Sequence, residues 1–206
     1  MASLVPISNA EVVRCWWPSN ELAIAYHDEE WGVPIFDDQK LFEMLTLEGA
    51  QAGLSWDTVL KKREGYRRAF SDFDLGVVSQ FTSVDVDRLV QDPGIIRHRG
   101  KIESTINNAL RVSEIQVTVG SFSSYVWSFV DGEPIQNRWT NSDQIPSHTP
   151  ISVSMSKDLI KRGFRFVGPT TVYAFMQAMG LVNDHYEGCH ARERAFKARK
   201  KLKKLA

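Results

Sequence analysis

The tract from Lys40 to Trp56 constrains the fold most, because its apolar residues recur at helical spacing and a carboxylate shares their face. The apolar side of this predicted helix carries Leu41, Phe42, Met44, Leu45 and Glu48. Glu43 lies on the opposite side, where solvent is expected. A buried carboxylate without a partner costs several kcal/mol unless it is hydrogen-bonded or its pKa rises. Two interpretations of Glu48 are therefore open: a structural bond to an arginine or a helix N-terminus, or a functional role.

The length and composition predict a single globular protein. A chain of 206 residues, 43% hydrophobic and 24% charged, suits one large domain or two small lobes that share a core. No apolar run approaches the roughly 18 residues of a membrane span, and the N-terminus has no signal-peptide pattern. With two cysteines and no export signal, a reducing cytoplasmic location is expected.

The zero net charge hides a basic C-terminal segment. Residues 190–206 hold eight basic residues against one acid, Glu193, a net +7, so residues 1–189 carry −7. The basic residues are Arg192, Arg194, Lys197, Arg199, Lys200, Lys201, Lys203 and Lys204. Such a segment can bind nucleic acid or remain a solvated tail, and both interpretations are open.

Helical periodicity runs through nearly the whole chain and predicts an all-α fold. Helices are expected after Asp37, from Ser55 through Arg63, and after a capping box at Thr82. Further helices are expected around residues 102–110, 122–129, 155–162 and 169–179. The last two end at Gly163 and Gly180. Residues 131–153 show no period and are predicted to be a long connection.

The segment from Leu89 to Ile102 predicts two helices joined by a tight Pro93-Gly94 turn. Gly94 is expected to supply a positive φ. The amide groups that start the following helix form a natural phosphate site. The positive charges predicted beside that site belong to Arg97, His98, Arg99 and Lys101. A hairpin of this kind can hold a DNA backbone without reading bases, or it can be an ordinary helical connection.

The two cysteines lie near opposite ends of the chain, and each has a histidine nearby. The pairs are Cys15 with His27, and His185 with Cys189. Four such ligands form a closed tetrahedral zinc site, which would be structural and would join the chain ends. Free thiols, a disulfide, or His190 in place of His185 are the alternatives.

Several blocks of sequence together resemble the bacterial DNA-3-methyladenine glycosylase I family. The resemblance extends from about Arg14 to Cys189. The blocks are Ala25-Tyr26-His27-Asp28-x-Glu30-Trp31-Gly32-Val33-Pro34, Leu47-Glu48-Gly49-x-Gln51-Ala52-Gly53-Leu54-Ser55-Trp56, residues 89–102, residues 126–130, residues 162–168 and residues 175–185.

The resemblance implies a helix-hairpin-helix glycosylase fold with two helical lobes and a base pocket between them. It implies an extension over residues 1–13, a glycosylase domain over 14–190 with its hairpin at about 85–113, and a basic tail over 191–206. The implied partner is alkylated double-stranded DNA, and the enzyme is expected to be monomeric. One structural zinc per chain would be held by Cys15, His27, His185 and Cys189.

The same resemblance suggests roles for individual residues in hydrolysis of the 3-methyladenine glycosidic bond. Glu48 would accept a hydrogen bond from the flipped cationic base and assist catalysis. Trp56 would stack on the base, while Tyr26 and Trp17 would close the pocket, although each aromatic can also be core. Gly53 and Leu54 form a candidate wedge. The candidate DNA contacts of the hairpin are Gly94, Arg97, Arg99 and Lys101.

Three features depart from the expected pattern. Ala23 stands where the family often has a second Tyr, and Ala174 where some members have Ser. No Asp occurs from Gly100 to Gly120, although most relatives in the wider superfamily place one soon after the hairpin. With no well-placed Lys nucleophile, an enzyme without lyase activity is predicted.

The competing hypotheses are a non-catalytic helix-hairpin-helix module that binds DNA and a zinc hydrolase, which would need an open metal position.

Overall fold

A computed structural model describes residues 12–203, with side chains through residue 198. Within those residues the chain forms eleven α-helices. They are α1 (Glu21–Glu29), α2 (Asp38–Gln51), α3 (Trp56–Leu60), α4 (Arg63–Ala69), α5 (Leu75–Val78), α6 (Ser83–Val90), α7 (Arg99–Val119), α8 (Phe122–Ser128), α9 (Pro150–Lys161), α10 (Pro169–Ala178) and α11 (His190–Lys203). Two 3₁₀ turns, Ser71–Phe73 and Ser142–Gln144, complete the helical structure.

Helix α2 lies at the centre of the protein and packs against α3, α7, α8 and α10. The Asp37 side chain caps it by accepting from the Lys40 amide at 2.9 Å, as predicted. All residues from 41 to 50 are buried, so the prediction of a solvated Glu43 is wrong. The carboxylate of Glu43 is tolerated because the guanidinium groups of Arg63 and Arg67 bind it at 2.7 and 2.9 Å.

Cap signals in the sequence correctly locate several helix ends. The capping box between Thr82 and Asp85 opens α6, and Gly163 and Gly180 follow α9 and α10 with φ of +88° and +70°. The helix predicted from Ser55 through Arg63 is in fact two helices, because the backbone at Lys62 leaves the helical region. Helix α9 begins at Pro150, inside the predicted connection of residues 131–153.

The fold is mostly helical, as predicted, and a short parallel strand pair that the sequence did not indicate accompanies the helices. Strands β1 (Ile135–Gln136) and β2 (Val182–Asn183) pair Ile135 with Val182 and Gln136 with Asn183. Two-residue strands carry no detectable period in a sequence. The pair ties the long connection to the segment that leads into His185.

The buried apolar side chains of the described residues form one continuous cluster from Cys15 to Ala191. The predicted division into two lobes is therefore not accompanied by two separate cores. Helix α11 buries Ala191 and Ala195, so the predicted tail over 191–206 begins as a packed helix. Most of the predicted extension over 1–13 lies outside the described residues. Among the helices of residues 12–203, none has the length and apolar character that a membrane crossing requires.

Candidate functional site

A cavity of about 310 Å³ lies between α1, α2, α3, α10 and three loop segments. The structure brings together on its wall all four residues predicted for the base pocket: Trp17, Tyr26, Glu48 and Trp56. Ala174, where some family members have Ser, also lines the cavity. The sequence analysis did not assign the remaining wall residues to the pocket, which are Trp16, Trp31, Gln51, Ile145, Pro146, Ser147, Thr170, Tyr173 and Gln177.

Glu48 is a buried acid without a partner in the part of the chain that the structure describes. It is 6% exposed, and its carboxyl makes neither a hydrogen bond nor an ion pair there. Burial raises the pKa of this carboxyl from 4.5 to about 8. The alternative of a structural bond to an arginine therefore does not hold, because the nearby arginines bind Glu43 instead.

Aromatic rings share the cavity wall with Glu48. The centroids of Tyr26 and Trp56 are 5.2 Å apart, and those of Trp17 and Tyr26 are 6.0 Å apart. The Tyr26 hydroxyl donates to the sulphur of Met44 at 3.8 Å. Burial, and then the charge of Glu48, raises the pKa of Tyr26. The indole N–H groups of Trp17 and Trp56 are buried and find no acceptor among the described residues.

The two alanine departures occupy different environments. Ala174 lines the cavity, so a hydroxyl is absent from the wall at that position. Ala23 is buried at 1% exposure and is not among the wall residues.

Asp184, which the sequence analysis missed, organises one side of the cavity. This buried carboxylate accepts from the Tyr173 hydroxyl at 2.6 Å and from the Gln177 amide at 2.8 Å, and both donors line the cavity. Asn137 and Trp139 donate to it from the long connection at 2.7 and 2.8 Å. No spacing in the sequence indicates such a partnership, because its members come from three separate segments.

Cys15, His27, His185 and Cys189 form a buried group that could hold a metal ion. The sulphur of Cys189 lies 3.6 Å from Nε2 of His27 and 3.5 Å from Nδ1 of His185, and the sulphur of Cys15 lies 3.6 Å from that same Nδ1. In a tetrahedral zinc site with ordinary bond lengths, sulphur and nitrogen ligands are about 3.6 Å apart. The ligand spacing therefore fits zinc.

The outer nitrogens of the two histidines are also bound. Nδ1 of His27 lies 2.7 Å from a carboxylate oxygen of Asp28, and Nε2 of His185 lies 3.1 Å from the Trp31 carbonyl oxygen. Contacts of this kind fix the ring orientation of metal ligands. His190, the alternative ligand, instead contacts Asp28 at 2.9 Å.

The residues predicted to bind DNA differ in their exposure and in their partners. Gly53 has φ of +78°, and the adjacent Leu54 is 40% exposed, as a wedge requires. Arg97 is exposed, whereas Arg99 forms ion pairs with Asp87 and Glu103.

Lys101 does not contribute to the outer charge of the hairpin. It is 9% exposed, and its ammonium donates to the carbonyls of Ala50 and Ala52 at 2.8 and 2.7 Å. The side chain thus holds the end of α2 against α7, and burial lowers its pKa.

Gly94 does not have the positive φ that was predicted for it. A Cβ on Gly65 would lie 2.1 Å from the carbonyl oxygen of Gly94, and a Cβ on Gly94 would lie 3.4 Å from Cα of Gly65. Gly65 is therefore the glycine that this contact requires, because the Gly94 carbonyl packs directly on the backbone of α4.

The fold and the cavity define a helical protein that encloses an aromatic cavity around one uncompensated acid, an arrangement suited to a planar cation. Comparisons with known proteins give the family. The family model for methyladenine glycosylase matches residues 16–193. DNA-3-methyladenine glycosylase 1 of Escherichia coli (strain K12) is 55% identical over 177 residues, which is 85% of this chain and 95% of that protein. The chain therefore belongs to the methyladenine glycosylase family.

Solved structures agree in fold. A crystal structure of 3-methyladenine DNA glycosylase I matches with a TM-score of 0.85 at 55% identity and covers 86% of this chain and 98% of its own. A Tyr-to-Phe variant of a 3-methyladenine DNA glycosylase I, in complex with 3-methyladenine, matches with a TM-score of 0.82 at 39% identity. That match covers 84% of this chain and 93% of the variant.

Proposed function

We propose that this protein is a DNA glycosylase that hydrolyses the N-glycosidic bond of 3-methyladenine in alkylated duplex DNA and leaves an abasic site. The observation that carries the proposal is Glu48, an acid without a partner among the described residues in an aromatic cavity. The family supports it, because relatives of this chain are named for this activity.

The cavity suits a single flipped base. Its volume of about 310 Å³ is at the lower end of the range for ligand sites, about 300–1,000 Å³. Methylation at N3 makes the adenine cationic, so it gains attraction from the ionised Glu48 and from the faces of Tyr26 and Trp56, each ring contributing roughly 0.5–2 kcal/mol. A neutral adenine lacks this charge, and the cavity therefore discriminates in favour of the damaged base.

The reaction breaks the bond between C1′ of the sugar and the base nitrogen, and the bonding electrons neutralise the departing base. Water adds its oxygen to the sugar cation and releases a proton. Glu48 is the sole acid among the wall residues, so it is the group that binds the cationic base and stabilises positive charge as the bond breaks. Among residues 12–198, no lysine lines the cavity, so no covalent adduct with the DNA is expected in the presence of borohydride.

Duplex DNA would be held by the turn between α6 and α7, which form a helix-hairpin-helix. The amides at the start of α7 and the exposed Arg97 supply phosphate contacts. Leu54 would fill the space that the flipped nucleotide leaves.

The four-residue Cys/His group would hold one zinc ion. With four protein ligands, a bound zinc has no open position for water and supplies structural rather than catalytic chemistry. It would fasten the segment at Cys15 to the segment at Cys189. This arrangement disfavours a zinc hydrolase.

Base release from methylated duplex DNA tests the proposal. Wild type should free 3-methyladenine, and Glu48→Gln and Trp56→Ala should each free it far more slowly while still binding DNA. If wild type binds DNA but releases no base, the glycosylase proposal fails, and the non-catalytic DNA-binding module is the hypothesis that remains. Equal release of 7-methylguanine would contradict the narrow specificity for 3-methyladenine.

A further inference from the structure

The loop between α9 and α10 presents an aromatic side chain to solvent in a strained backbone conformation. Phe166 has φ of +57° and is 38% exposed. A positive φ is an outlier for a bulky residue and persists only where the surrounding structure imposes it. Phe73, which shares this property, is fully buried. Core packing therefore accounts for Phe73 and does not account for the exposed Phe166.

Contacts from distant helices hold the loop in this conformation. Asn108 of α7 is buried, and its amide nitrogen donates to the Arg165 carbonyl while its amide oxygen accepts from the Arg165 N–H, both at 2.9 Å. Asn107 donates to the Gly163 carbonyl at 2.8 Å. On the other side, the backbone of Phe166 packs so closely on Gly49 of α2 that a Cβ on this glycine would lie only 3.3 Å from the Phe166 carbonyl oxygen. The backbone that carries the ring is thus held in place from two sides.

The same ring lies beside the hairpin turn. Its centroid is 6.2 Å from that of His98, which caps the start of α7, and the two rings are nearly perpendicular. The chain neighbours of these rings, Arg97 and Arg165, are both exposed. Neither arginine has a carboxylate partner among residues 12–198. An exposed aromatic ring accompanied by cations without carboxylate partners is a pattern that binds nucleic acid.

We propose that Phe166 is a second apolar contact to duplex DNA, placing its ring against a base step next to the strand that the hairpin holds. The inference rests on the proposed glycosylase function. Helix α7 positions both proposed apolar contacts, Leu54 and Phe166. Lys101 donates hydrogen bonds to the carbonyls of Ala50 and Ala52, which precede Leu54, and Asn108 donates to the Arg165 carbonyl, which precedes Phe166. The strained conformation keeps the ring exposed before DNA arrives.

The test compares DNA binding with binding of the free base in the full-length protein. Phe166→Ala should weaken binding to a duplex with a stable abasic-site analogue by about 5- to 150-fold, the range for loss of one base–aromatic contact. Its affinity for free 3-methyladenine, followed by tryptophan fluorescence, should stay within about twofold of wild type. Phe166→Trp should restore DNA binding. Val117→Ala, which truncates an exposed apolar side chain near the other end of α7, is the matched control and should change neither affinity.

Two results would overturn the inference: unchanged DNA affinity in Phe166→Ala, or an equal loss of free-base affinity, which would place the ring's effect in the cavity. Phe166→Gly repeats the measurement in a variant that accepts the positive φ without strain, in case the alanine variant unfolds. If wild type releases no 3-methyladenine, the glycosylase function is refuted. The comparison of DNA affinity between wild type and Phe166→Ala tests the role of Phe166 separately.

Discussion

Replacing Glu48 with glutamine should stabilise the protein, and the gain should increase as the pH rises. Burial raises the pKa of the Glu48 carboxyl from 4.5 to about 8. Between these two values the native carboxyl is protonated while the unfolded chain is ionised, so the unfolded state binds fewer protons and stability falls with rising pH. Below pH 4.5 both states are protonated and the penalty vanishes. Glutamine has nearly the same shape and does not titrate.

The size of the effect follows from the two pKa values of 4.5 and about 8. Each pH unit inside the window costs the wild type about 1.4 kcal/mol. Between pH 5 and pH 7 the advantage of Glu48→Gln should therefore grow by roughly 3 kcal/mol, which corresponds to a relative gain in Tm of roughly 6–12 °C for a protein of this size.

Urea unfolding of both proteins at pH 5, 6 and 7 measures this difference directly. Glu43→Gln is the matched control on the same helix. It removes the carboxylate that binds Arg63 and Arg67 and should destabilise the protein. If the difference in free energy of unfolding between wild type and Glu48→Gln stays constant from pH 5 to pH 7, the reasoning is refuted. A constant difference would mean that the Glu48 carboxyl is ionised in the folded protein throughout this range and that its charge is balanced by a partner.

Three further predictions address activity, metal and packing. The kcat/KM for base release should rise with pH and level off near pH 8 as the Glu48 carboxyl ionises, and Glu48→Gln should be slow and independent of pH over that range. Wild type should contain one zinc per chain by elemental analysis, and Cys189→Ser should lose the metal and melt at a lower temperature; equal metal content in the two would exclude this site. Gly65→Ala should cost about 1–3 kcal/mol, because its Cβ would meet the Gly94 carbonyl at 2.1 Å, whereas Gly168→Ala meets no atom within 4 Å and should unfold like wild type.

Local signals explain what could be predicted of the fold. Asp37 accepts from the Lys40 amide and Asp85 accepts from the Thr82 amide, each bond within three residues, so these capping roles are visible in the sequence. Gly163 and Gly180 likewise end helices through their own backbone conformation. The strand pair involves residues 135 and 182, far apart in the chain and too few to form a pattern.

The candidate site was predictable where a residue's own chemistry marks it. Glu48 stands out because an acid on an apolar helical face is anomalous by itself. Asp184 and Lys101 do not stand out, since their importance lies in partners from distant segments. The helical pattern also misjudged Glu43, because a helix packed on several sides buries its polar face as well.

The contrast between the two acids of α2 explains how the cavity can favour a positive ligand. Arg63 lies within reach of the cavity wall, with its guanidinium carbon 5.9 Å from the centre of the Tyr26 ring. Its donors, however, bind Glu43 and Glu30 at 2.7 and 2.8 Å, so its charge is compensated outside the cavity. Glu48 is left without a cation of its own. The empty site consequently holds a neutral, protonated acid at pH 7, and a cationic base supplies the positive charge that makes its ionisation favourable. The destabilising burial of Glu48 is thus also the source of the proposed discrimination between methylated and unmodified adenine.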